Sequence, residues 1–309
     1  MLNTIKKSAL ALALGLTLWS CEKEDSLTLD PLSEQEKPAT ELDQYLHDNF
    51  QKPHNCIVRY KFVNRYVDDT KRVTPADRDM VKPYMDFVKD YWISPYTEEV
   101  NSENLIKKLF PSELVLIGSS IFNADGSRTL GTADAGVRIT LTNVNDMNLA
   151  STNWIAGQLH TMQHEFTHIV HQRYDLPDGY QKLSEGDYTG ASWIIQDHEE
   201  TLPLGFVTPY ASNNPNEDFA ELVSHILTMD AQTFSDRYLD ITKDENGQAP
   251  AEGSSVSLAV IEGKLLIKQK YDMTFKYFQE ELNIDLGTLR DRALGKIYAP
   301  KEPEAPATE

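Results

Sequence analysis

His164-Glu165-Phe166-Thr167-His168 sets two imidazoles four residues apart with a carboxylic acid beside the first. On a helix, residues i and i+4 share a face one turn apart, so both rings can reach a single metal ion. Glu165 is then placed to take a proton from an attacking water. With eight histidines in 309 residues, residue frequencies alone produce this spacing in roughly one such chain in fifty, so the flanks matter. Thr161, Met162 and Gln163 before it, and Ile169 and Val170 behind it, are uncharged and able to bury around an ion.

A catalytic zinc needs a third protein ligand and one open position. In the extended metzincin pattern HExxHxxGxxH the glycine and the last histidine would fall on His171 and Tyr174, which excludes that class. Glu185 lies too near for a thermolysin-type ligand and lacks the motif around it. Asn216-Glu217-Asp218-Phe219-Ala220-Glu221 is the better source, because Glu217 and Glu221 are i and i+4 on one face of a following helix. One carboxylate can bind the metal while the other accepts a hydrogen bond from a ligating imidazole. Glu217 has a competing structural role, since a glutamate three residues after Asn214 can serve the helix start. The need for a third ligand assigns it to the metal.

The segment Tyr210-Ala211-Ser212-Asn213-Asn214-Pro215-Asn216-Glu217-Asp218-Phe219-Ala220-Glu221 resembles the corresponding part of anthrax-lethal-factor-type gluzincins. That resemblance implies Tyr210 as transition-state stabiliser, Glu217 as ligand and Glu221 as the support of a ligating histidine. Together with Gly205-Phe206-Val207-Thr208-Pro209-Tyr210-Ala211, it is similar to a Bacteroidetes group of zinc metallopeptidase lipoproteins. These are associated with outer-membrane substrate importers of the starch-utilisation type. The implied fold is an α+β zincin of the gluzincin kind, with a sheet-containing N-terminal lobe and a mainly helical C-terminal lobe. One Zn²⁺ would sit between His164, His168 and Glu217, with Glu165 as general base and Tyr210 donating to the oxyanion. An edge strand, for which residues 137–142 are the candidate, would pair with extended peptide or protein substrate. The expected activity is hydrolysis of peptide bonds by a zinc-activated water. The alternatives are a non-catalytic surface lipoprotein assisting an importer and a zinc hydrolase of other amides or esters.

The start of the chain reads as a targeting segment. Lys6 and Lys7 precede an apolar stretch, residues 9–18, too short to span a bilayer as a mature helix. Leu18-Trp19-Ser20-Cys21 resembles the lipobox of bacterial lipoproteins, which implies cleavage after residue 20 and acylation of Cys21. Two acyl chains give the double anchor that stable attachment requires. Glu22-Lys23-Glu24-Asp25 resembles the surface-export signal of Bacteroidetes lipoproteins, implying a lipid-anchored protein of the bacterial outer membrane, displayed at the cell surface. Cys56 is then the only other cysteine, which excludes a disulfide framework and suits a buried thiol. A formal charge of −19 repels phosphate backbones, so nucleic acid is not an expected partner.

Residues 21–40 are polar and acidic, a tether; residues 41–299 form the expected domain, with lobes 41–174 and 175–299; residues 300–309 are a proline-rich and acidic tail. Helical spacing recurs over residues 41–50, 77–91, 102–109, 154–174, 256–282 and 286–298. Asn214 caps and Pro215 opens a further helix to about residue 229, and a short one lies around 191–197. Residues 57–67, 114–118 and 137–142 read as strands. With Gly126, Gly131 and Gly136 as turns, the simplest sheet is mostly antiparallel. His160 and His171 read as solvated or hydrogen-bonded, Asp197-His198-Glu199-Glu200 as solvated surface, and Tyr271, Phe275, Tyr277 and Phe278 as helix core.

Overall fold

Leu114-Val115-Leu116-Ile117 is a near-continuous apolar run, the pattern of a strand covered on both faces, and all four residues are buried. The computed structural model describes residues 38–63, 70–98, 102–122, 128–129, 131–134 and 137–298. The expected signal segment, Cys21 and the 300–309 tail lie outside them, as does the tether up to residue 37. The chain divides into units Met1–Asp43 and Gln44–Glu309, and all that follows concerns the second.

The main sheet contains β1 (Ile57–Arg59), β2 (Glu113–Leu116), β5 (Gly131–Asp134) and β6 (Arg138–Leu141), in the order β1-β2-β6-β5; β3 (Ile121–Phe122) and β4 (Arg128–Thr129) form a separate pair. β1–β2 and β2–β6 are parallel, and only β5–β6 is antiparallel. The expectation of a mostly antiparallel sheet is therefore corrected. Gly131 is the first residue of β5, Gly126 and Gly136 lie outside the described residues, and β6 runs in the same direction as β2. A second correction follows. Residues 137–142 are not an edge, because β6 lies between β2 and β5; the edge on that side is β5. At the start of the sheet, Glu113 accepts from Arg59 (2.8 Å) and from Arg138, tying three strands together.

Helices α1 (Arg78–Phe87) and α2 (Ser102–Leu109) fill the connection from β1 to β2, with π-helical turns at Val88–Ile93 between them. The run from α1 through the short helix Ser94–Glu98 buries Tyr84, Phe87, Trp92 and Tyr96 against α3 (Thr152–Tyr174). Two of the buried phenols also find acceptors on α3: Tyr84 donates to Gln158 and Tyr96 to Gln163, both at 2.7 Å. A buried hydroxyl without a partner costs about 1–3 kcal/mol, so these pairs fix the rotation of α3 about its axis. Trp92 meets Phe166 edge-on at 5.9 Å. Ser151 caps α3 by accepting from the Trp154 amide.

After α3 come 3₁₀ turns, including Gly190–Ile195 where a helix around 191–197 was expected, then α4 (Pro215–Thr228), α5 (Ala231–Tyr238), α6 (Leu258–Glu280) and α7 (Leu286–Tyr298). Asp197 and Glu200 form a reciprocal capping box on the short helix His198–Thr201. Tyr277 and Phe278 are buried, while Tyr271 and Phe275 stay partly exposed. Cys56 is free and buried, and burial pushes its thiol well up from the usual range.

α6 sets the position of α4. At Gly263 it runs so close to the Leu202–Leu204 turn that a Cβ would stand 2.0 Å from the Leu202 carbonyl oxygen. At the next residue and about two turns further on, lysines reach into the core. Lys264 donates to the carbonyls of Asp236 and Asp240. Lys270 lies 2.7 Å from Asp218 Oδ2 on α4, donates to the Gly205 carbonyl at 2.7 Å, and sits 4.4 Å above the Phe206 ring. Tyr188 donates to the same Asp218 oxygen. Burial raises the Asp218 carboxyl and lowers the Lys270 ammonium, each opposed by its partner.

Removing one member of such a pair strands the other charge in the core. Lys270→Met is expected to destabilise the protein by about 3–5 kcal/mol. Adding Asp218→Asn should recover part of the loss. Urea unfolding of the two variants measures both; a single variant within 1 kcal/mol of the parent, taking about 1 kcal/mol as the ordinary cost of a substitution, would show that the pair is not an anchor.

Candidate metal centre

α3 and α4 pack side by side and carry the chemistry between them. On α3, His164 and His168 stand one turn apart with their Nε2 atoms 3.1 Å from each other. On α4, Asn214 accepts from the amides of Asn216 and Glu217, with Pro215 in the first turn. The capping role is thus filled by Asn214, and the Glu217 side chain is turned to the histidines. Its Oε2 lies 3.0 Å from His164 Nε2 and 3.1 Å from His168 Nε2. The structure therefore brings His164, His168 and Glu217 to one point.

These three atoms form a nearly equilateral triangle. Donors at about 2.0–2.1 Å from a tetrahedral ion stand about 3.3 Å from one another, close to what is seen. The chemistry also fits. Two imidazole nitrogens and a carboxylate oxygen turned on one another repel as lone pairs unless a cation, proton or metal, lies among them. Without metal the proton is held tightly. Burial would push the His164 imidazole down, but the carboxylates of Glu217 and Glu221 beside it hold it up at about 10. Glu217, which burial would raise, is held down at about 2 by His164 and His168.

The outward nitrogens of the two histidines are also engaged. His164 Nδ1 lies 2.9 Å from Glu221 Oε1, an ion-pair contact too skewed for a linear hydrogen bond. The Glu221 carboxylate is buried and also accepts from Thr208 Oγ1 at 2.8 Å, with His160 Nε2 at 3.1 Å. Burial would raise Glu221, yet His160 and His164 hold it well below its ordinary value. His168 Nδ1 meets His171 Nε2 at 2.9 Å. Burial and the neighbouring His168 push the His171 imidazole down to about 4, so at neutral pH it is neutral and its Nε2 accepts from His168. Orientation of a ligand histidine through its second nitrogen is a general need of zinc sites.

Glu165 is buried on the same helix, close enough to bear on the charge of both His164 and Tyr210. Tyr210 opens the Tyr210–Asn213 turn just before α4. Its ring stacks on His164 at 5.8 Å and is met edge-on by Trp193 at 4.8 Å. Burial first, and then the Glu217 carboxylate, hold its phenol well above the ordinary range; it is a proton donor at neutral pH. Every residue expected at the site except Cys21, which lies outside the described residues, is thus in one cluster.

The roles of Thr208 and His171 were not read from the sequence. His171 was three residues past His168, a helical neighbour, but its partner is visible only once the rings are placed. Thr208 lies in the quoted Gly205-to-Ala211 string and gave no chemical signal of its own.

Residues 35–287 match the family model described as "Putative zinc-binding metallo-peptidase". A solved structure of a Bacteroides caccae protein with the same description is similar at a TM-score of 0.67 and 31% identity, covering 85% of this chain and 93% of that chain. No curated protein matches.

Glu217→Ala is expected to lose most bound zinc, whereas Glu221→Ala should weaken it by about 10–100-fold. Metal analysis after dialysis at fixed free zinc measures both. Full occupancy in Glu217→Ala together with loss in Glu221→Ala would exchange the two roles.

Proposed function

The chain belongs to the zinc-binding metallo-peptidase family that its residues 35–287 match, and from that premise we propose that it is a peptidase of the gluzincin kind whose centre is His164, His168 and Glu217. The observation that carries the reading is the triangle of ligand atoms 3.0–3.1 Å on a side, with Glu165 and Tyr210 on the same cluster. Zn²⁺ held there supplies a Lewis acid that activates water near neutral pH and polarises a carbonyl.

The chain's own groups do the rest. Glu165 takes the proton of the attacking water and passes it to the leaving amine. The Tyr210 hydroxyl, kept protonated by burial, donates to the oxygen on which negative charge grows. Glu221 and His171 hold the two ligand imidazoles in orientation. In the zincin arrangement proposed for this fold, α3 lies between the sheet and α4, and extended substrate adds to the open edge at β5 in place of the 137–142 segment. α3 packs against both β5 and β6, which supports β5 as the edge bordering the cleft.

A pure binding lipoprotein would need neither Glu165 nor Tyr210 at the metal, and their presence favours the enzyme. The proposal includes the anchor and place implied by residues 18–25: acylated Cys21, the outer membrane and the cell surface, beside a nutrient importer. No described helix is long and apolar enough to cross a membrane. Intact-mass measurement of membrane-extracted protein should give a chain beginning at Cys21 with added lipid; a lipid-free chain starting elsewhere would remove the anchor.

Glu165→Gln should keep its zinc and lose nearly all cleavage of a proteome-derived peptide library. Tyr210→Phe leaves the ring stacked on His164 and removes one hydroxyl. Its kcat should fall by roughly 10²–10³ with little change in KM. A parental rate in Glu165→Gln would place any hydrolysis elsewhere. A less stable Tyr210→Phe with parental kcat would make that tyrosine structural.

A further inference from the structure

The ligand pattern on the two packed helices does not stop at the first centre. α3 presents His160, His164 and His168 at successive turns, and α4 presents Glu217, Glu221 and His225 in the same way. Where His164 and His168 meet Glu217, the next rung brings His160 to Glu221, with Nε2 3.1 Å from Oε1. His225 lies beyond it, its ring 4.7 Å from that of His160 and perpendicular to it. One ligand atom from each of His160, Glu221 and His225 falls within 4.8 Å of the other two.

His225 lies against the same carboxylate, its Nδ1 4.0 Å from Glu221 Oε2. Its Nδ1 is 2.8 Å from the Glu221 backbone carbonyl, and a carbonyl can only accept, so Nδ1 carries the proton. The lone pair is then on Nε2, the tautomer in which metal-bound histidines are commonly fixed. No described residue is hydrogen-bonded to that Nε2. Glu221 is buried, and each carboxylate oxygen has two lone pairs; His164 and His160 meet Oε1 and Thr208 donates to Oε2, which leaves a lone pair on Oε2 for a further cation. His160 is the member open to solvent, its side chain 28% exposed, which gives an ion a way in. Ser224 Oγ, 3.5 Å from His160 Nε2, borders the same space.

We propose that His160, Glu221 and His225 form a second metal site, one helical turn from the first and linked to it through Glu221. Two imidazoles and one carboxylate suit a borderline divalent transition ion such as Zn²⁺. The site is the weaker of the two. Only His160 is already at contact distance from the carboxylate, so His225 must close on it, and Glu221 is shared with His164. An ion there draws on the carboxylate that orients His164, so filling it alters the first centre, and excess zinc lowers turnover.

The test is zinc content of the full chain after dialysis against stepped free Zn²⁺, with turnover measured alongside. Two steps are expected, near one and then two ions per chain, the second at higher free zinc. His160→Gln, at a partly exposed position, should remove the second step and its inhibition and leave the first step and thermal unfolding unchanged. His225→Leu should do the same. Glu217→Ala should remove the first step and keep the second, so failure of the first centre is distinguishable from failure of this one. A single step in the parent chain overturns the proposal, and so does a second step that survives both His160→Gln and His225→Leu.

Discussion

Two imidazoles and a carboxylate held 3.0–3.1 Å apart in a largely buried place is an arrangement that only a cation makes favourable. Most of the fold beyond the sheet serves to impose it. Neither helix could do so alone. α3 supplies two nitrogens at a fixed rise, and α4 must bring its oxygen to them at one depth and one rotation.

The rotation of each helix is set by buried polar contacts on its far side. On α3 the phenols of Tyr84 and Tyr96 hold Gln158 and Gln163. On α4 the adjacent residues Glu217 and Asp218 point in different directions, as neighbours on a helix must. Glu217 goes to the histidines and Asp218 to Lys270, 2.7 Å away in the core. Because Lys270 also holds the Gly205 carbonyl, one ammonium group fixes both α4 and the start of the segment that delivers Thr208 and Tyr210. A core ion pair that is costly to bury thereby contributes geometry to the site rather than net stability.

Charge around the cluster is arranged in layers. Carboxylates face the inner and outer nitrogens of His164, while His168 is backed by a neutral imidazole. The two candidate ligand histidines therefore differ in electron donation although they look equivalent in the motif. Stacked on His164, the Tyr210 ring has little freedom, which would lower the cost of orienting its hydroxyl in the proposed reaction.

What the sequence determined by itself was local. The i,i+4 spacing of His164 and His168, the Asn214–Pro215 helix start, the pairing of Glu217 with Glu221 and the limits of the 286–298 helix follow from periodicity and capping, which act over a few residues. The tertiary structure decided the rest. The direction of the sheet and the identity of its edge depended on how β2 and β6 meet across more than twenty residues, and the 114–117 apolar run was the one local sign of a parallel, covered strand. His171 as the acceptor for His168, Thr208 on Glu221, and the ladder from His160 to His225 depend on the depth and rotation at which two helices pack. Those are set by Tyr84, Tyr96 and Lys270, distant in sequence, whose burial has an energy only once the whole chain has closed around them.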